Sequence, residues 1–114
     1  MKKFMVLYMA STADFEKAMK NSTPEQQKMG MDAWMKWMEK RKKSIVDGGA
    51  PLGKTKRVDA KGPSNTKNGV GGYSVVQAQS HDAAAKLFGK DHPHLQMMPS
   101  GWIEIVEIMP MPDM

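Results

Sequence analysis

The sequence predicts an α+β fold, an antiparallel sheet with helices on one face. Three observations predict it. The chain opens on an unbroken apolar run, Phe4 to Met9, as expected of a central strand. A long amphipathic helix with a well-marked start follows at Thr23. Beyond it, strand-like stretches are set off by turn residues, with a shorter helix before the last of them. The order is β-α-β-β-α-β, and its economical packing is the ferredoxin-like sandwich. The 114 residues suit a single domain over 1–114.

Each element has a local reason. Lys3–Met9 is apolar throughout, so both faces of this first strand are expected to be buried. Ser11–Lys20 is weakly amphipathic and suits one or two helical turns. Thr23 is then an N-cap, Pro24 takes the first helical position, and Gln26 stands where a capping box needs it. This helix is expected to run to about Asp47, where Gly48-Gly49 stops it. Met31, Trp34, Met35, Met38 and Ile45 recur at helical spacing and predict the core-facing stripe. Trp37 lies off that stripe and is expected at the surface, either against a partner subunit or as an ordinary surface tryptophan. Ala50–Asp59 suits an edge or half-exposed strand, and Lys61–Gly72 a hairpin loop rich in turn residues. Tyr73–Ala78 is a strand. Ser80 caps a helix over His81–Gly89. Asp91–Gly101 is a loop, and Trp102–Met109 is the last strand, ended by Pro110 and Pro112.

Composition excludes whole classes of chemistry. There is no cysteine, so disulfides, thiolate metal sites and cysteine nucleophiles are absent. No apolar run reaches the length of a membrane span. Met1-Lys2-Lys3 resembles a signal-peptide start, but the apolar stretch after it is short and lacks a cleavage site, so it reads as a strand. A cytoplasmic protein without a membrane partner is expected. The net charge is +5. Basic residues concentrate between Lys36 and Lys67, with Lys40-Arg41-Lys42-Lys43 as the longest run. No aromatics interleave with them, so they read as a solvated helix end and hairpin, and a nucleic-acid partner is not expected. Methionine is abundant, at 13 residues. Met5, Met9, Met31, Met35 and Met38 are assigned to the core. Met97, Met98, Met109, Met111 and Met114 gather at the last loop and C-terminus, where a second subunit or a ligand could sit.

The densest polar constellation is Asp91-His92-Pro93-His94. Two imidazoles and a carboxylate can serve as an acid–base pair, or as metal ligands if both histidines share a face. The competing reading is a helix-terminating loop with the histidines in solvent. His81, just after the Ser80 cap, reads as structural, since a helix N-terminus disfavours a cationic imidazole. Glu104 and Glu107 differ in parity and face opposite sides of the last strand. Tyr73 is either a phenol donor in a cleft or a half-buried strand aromatic. Gly69-Val70-Gly71-Gly72 precedes a strand, so no helix N-terminus is there to receive a phosphate.

Lys61-Gly62-Pro63-Ser64-Asn65-Thr66-Lys67 is followed by Gly71-Gly72-Tyr73. Then come Asp82-Ala83-Ala84-Ala85-Lys86-Leu87, the His92-Pro93 turn, and Gly101-Trp102-Ile103-Glu104-Ile105. The order of these short motifs resembles that of the DGPF-type, YCII-related proteins. Phe4–Met9 and Trp34–Met38 are similar as well, so the resemblance covers nearly the whole chain. It implies a ferredoxin-like domain that pairs into a dimeric α/β barrel, relatives acting on small aromatic or chlorinated rings, and a His–Asp pair as the site. Asp91 and His92 are the positions that carry over. Lys61 stands where the pattern has Asp, Ser64 where it has Phe, and no histidine precedes His81.

The expectation is therefore a homodimer holding a small apolar or aromatic ligand between sheet and helices. Asp91 and His92 are the candidate catalytic residues. Tyr73, His94, Trp34 and Met38 are the candidate ligand-binding residues. No metal and no cofactor are assigned. The alternative is a non-catalytic binding or regulatory module that uses its dimer surface or basic face.

Overall fold

The computed structural model describes residues 1–112; Met114, counted above with the C-terminal methionines, lies outside them. The elements run β1 (Lys2–Met9), α1 (Thr12–Asn21), α2 (Pro24–Lys40), β2 (Ile45–Pro51), β3 (Thr55–Asp59), β4 (Gly62–Thr66), β5 (Val70–Ala78), α3 (His81–Ala85), α4 (Pro93–Met97) and β6 (Trp102–Glu107). The main sheet has four strands in the order β2-β5-β1-β6. Every neighbouring pair in it is antiparallel. With β3 and β4 set aside as a separate hairpin, this is the ferredoxin-like arrangement that the sequence predicts.

Strand alternation decides the core. Phe4, Val6 and Tyr8 are buried on the helix-covered face, while Met5, Leu7 and Met9 stay half-buried on the other. Val76 and Ala78 of β5 and Ala84 of α3 complete the cluster, and Trp34, Ile45, Leu87, Phe88, Ile103 and Ile105 pack around it. The first strand is thus covered on one face only, and Met5 and Met9 are not core residues.

The capping box at α2 forms as predicted, with Thr23 and Gln26 bonding each other's backbone. Its far end does not. The helix stops at Lys40, and the chain enters β2 at Ile45-Val46, a β-branched pair that suits pairing with β5. Gly48-Gly49 is not a helix stop but lies where the β2 register slips. Gly49 has φ +75°, and a Cβ there would overlap the Tyr73 carbonyl oxygen, so only glycine fits.

The buried face of α2 is also rotated from the expected one. Trp37 is only 8% exposed, whereas Met31 and Met35 are 67% and 60% exposed. Gly30, Trp34, Trp37, Met38 and Arg41 form the inward side. Trp34 and Met38 belong to both faces, and Trp37 takes the place of Met31 and Met35 because its ring packs on Phe88 and His92.

Elsewhere the sequence reading misses short elements. The expected strand Ala50–Asp59 is divided between β2 and β3, and the expected loop contains β4. The segment Asp91–Gly101 carries the turn-and-a-half of α4. The helix after Ser80 is shorter than expected and ends at Ala85.

Candidate functional site

Helix α4 begins at Pro93, and His92 is its N-cap. The His92 ring takes the place of the usual hydroxyl or carboxylate: its Nδ1 accepts the His94 backbone N–H at 3.0 Å. A nitrogen that accepts carries no proton, so the neutral ring holds its proton on Nε2. That Nε2–H has no hydrogen-bond partner among the described residues, although the side chain is fully buried.

Aromatic rings surround it. His92 lies 5.3 Å from Tyr8, nearly parallel to it. The Trp37 and Trp34 rings meet it edge-on at 4.5 and 5.1 Å. Phe88 closes the box at 5.4 Å. Such a surrounding disfavours a cation without solvation. Burial pushes the His92 pKa down to about 4, helped by charge at His94 and Arg41 and opposed by Asp91. At neutral pH the box therefore offers a neutral N–H donor.

His94 is turned the other way. Its Nε2–H donates to the Met9 carbonyl at 2.8 Å, tying α4 to the end of β1. Its ring still reaches Tyr8, at 5.6 Å. Tyr8 ends in a short polar chain. The Ser74 hydroxyl donates to the Gly48 carbonyl at 2.9 Å, so the Tyr8 phenol must donate to Ser74 Oγ, also at 2.9 Å. Burial pushes the Tyr8 pKa up to about 12, with the Ser74 bond pulling against it. Both polar members of the box are thus neutral.

Of the residues singled out in the sequence, His92, His94 and Trp34 come together here. Asp91 does not join them; it is exposed and makes no hydrogen bond to His92. Tyr73 is half-buried on the opposite face of the sheet, since it is out of phase with Ser74 and Val76. Met38 lies against Gly48, in a depression of about 330 Å³ that Met35, Glu39, Lys42 and Ile45 also line. His81 bonds the Ile105 carbonyl at 2.7 Å and rests on Phe4, a structural role. Among the described residues no group of three His, Asp or Glu is placed to hold a metal ion.

Sequence reasoning missed Tyr8, Ser74, Trp37, Phe88 and Arg41. For Tyr8 a signal existed. It is in phase with Phe4 and Val6, so its ring had to face the helices and its hydroxyl had to find a buried partner.

Three comparisons bear on this chain. The model of the YCII-related domain matches residues 5–112. No curated protein matches. Among solved structures, the chain is similar to a 5-chloro-2-hydroxyhydroquinone dehydrochlorinase from Burkholderia phenoliruptrix AC1100, in complex with 2,5-dihydroxybenzoquinone. The identity is 17%, 90% of each chain is covered, and the TM-score is 0.49. With the family model spanning nearly its whole length, the chain belongs to the YCII-related domain family.

Proposed function

We propose that this protein binds a small apolar or aromatic molecule at the box around His92. One observation carries the reading. A fully buried imidazole N–H without a partner costs free energy unless something accepts from it. Edge-on tryptophans offer at best weak π acceptors. A ligand oxygen would satisfy the donor, and the rings would supply flat apolar contact. Trp34 and Phe88 are the half-buried rings in contact with His92, so they form the sides of the box nearest solvent. His94 supports the box through α4, and Met38 lines the neighbouring depression.

Neither polar ring is ionised at neutral pH, so the box donates to and polarises an oxygen rather than removing a proton. Asp91 acts on His92 through its charge, from outside. Dimerisation belongs to the same reading. The uncovered face of the main sheet carries Met5, Leu7, Met9, Tyr73 and Val75, all half-buried. A second copy of the chain covering that face would remove this apolar surface from water. A cytoplasmic setting accords with the absence of cysteine.

Titration of tryptophan fluorescence with phenol tests the binding claim. Saturable quenching is expected, weakened about tenfold or more in His92→Phe, which keeps the ring and removes the donor. Equal quenching in the two proteins, or none in either, contradicts it.

A further inference from the structure

We propose that the ligand of this site is an anion, an aromatic or apolar carboxylate or phenolate whose charge is received by Arg41. The inference rests on the binding reading above and adds the ligand's charge to it. Arg41 caps the C-terminal end of α2 and is half-buried there. Its guanidinium carbon lies 6.0 Å from the centre of the Trp37 ring. That ring in turn meets His92 at 4.5 Å. One tryptophan therefore has the unpaired His92 donor on one contact and a guanidinium on another.

The guanidinium carries five N–H donors, and among the described residues it forms no side-chain hydrogen bond and no ion pair. The carboxylates that could have paired with it do not. Glu39 is held by Lys42 at 3.4 Å, and Asp91 is exposed. Arg41 is one of the charges that keep the His92 ring neutral, so its field reaches the box.

The polar groups of the site are consequently one-sided. His92 Nε2–H and the Arg41 fork both donate, and the Tyr8 hydroxyl is spent on Ser74. A cationic ligand would meet the like charge of Arg41, with no carboxylate in the box to offset it, since Asp91 is exposed. A carboxylate fits, since its two oxygens can take the planar guanidinium and the imidazole N–H, and a phenolate fits by sharing its single oxygen between them, while the ring meets the half-buried Trp34. The net charge of +5 favours approach of the same class.

The experiment compares benzoate with benzamide, two probes of one shape, by calorimetric or fluorescence titration. Benzoate is expected to bind the native protein at least about tenfold more tightly, with the advantage shrinking as salt is raised. In Arg41→Gln the ratio is expected to fall to near one, and in Lys42→Gln to stay as in the native protein. Equal binding of both probes to the native protein overturns the charge assignment and leaves the binding reading standing. Binding of neither probe overturns the charge assignment. If phenol also fails to bind, the binding reading falls with it. A ratio that survives Arg41→Gln but collapses in Lys42→Gln overturns the assignment by moving the anion to the Met38 depression. The native ratio alone decides the matter should Arg41→Gln fail to fold.

Discussion

His92 and Tyr8 lie face to face, with ring centres 5.3 Å apart and planes 18° from parallel. One caps a short helix near the end of the chain, and the other is the penultimate residue of the first strand. Burial keeps both rings in their neutral forms at neutral pH. This contact joins the helical layer to the sheet at the site where we locate binding.

Acid should weaken the fold through His92. Its pKa is about 4 when folded, against an ordinary value near 6.5, so the unfolded chain binds the proton more tightly. The stability that depends on the neutral ring is complete above about pH 6.5. It is lost as pH falls towards 4, and below that the loss levels off. A shift of this size corresponds to about 3 kcal/mol. Urea midpoints measured from pH 7.5 to 4 should fall accordingly, and the slope should flatten in His92→Phe. An unchanged slope in that variant would place the acid sensitivity elsewhere.

The rotated face of α2 makes a sharp contrast between neighbouring positions. Trp37→Ala removes a buried indole that touches His92 and Phe88, and should cost about 3–5 kcal/mol. Met35→Ala, on an exposed side chain, should stay within about 0.5 kcal/mol. Chemical denaturation of both variants checks this. The opposite ranking would restore the face that the methionine spacing predicts.

Gly49 should tolerate no side chain. Gly49→Ala meets both a positive φ and the Tyr73 carbonyl, and should cost at least about 3 kcal/mol. Gly53→Ala has open space around its Cβ and should be nearly neutral. Thermal melts of the pair provide the comparison.

What was legible in the sequence was local chemistry. Thr23, Pro24 and Gln26 announce the start of α2, and the alternation and turn residues announce the main strands, because these depend on neighbours a few residues away. The choice of Trp37 over Met31 and Met35 depends on what the sheet offers opposite the helix, and spacing alone does not contain that. The same holds for Tyr8 and Ser74, which meet only because β1 and β5 pair in one particular register. His92 was visible as a candidate. Its role as a cap was not, since imidazole is not among the usual capping side chains. By strand parity Tyr73 lies on the opposite face of the sheet from Tyr8, and Asp91 shares a segment with His92 but not its surroundings.

The central claim is that His92 presents an unpaired Nε2–H to a ligand. The ¹⁵N spectrum of its imidazole tests that most directly. At pH 7 we expect a neutral ring with the proton on Nε2, and an Nε2 shift that moves on saturation with phenol or benzoate while the Nδ1 signal holds. A protonated ring, a proton on Nδ1, or an Nε2 signal indifferent to both compounds would contradict the account.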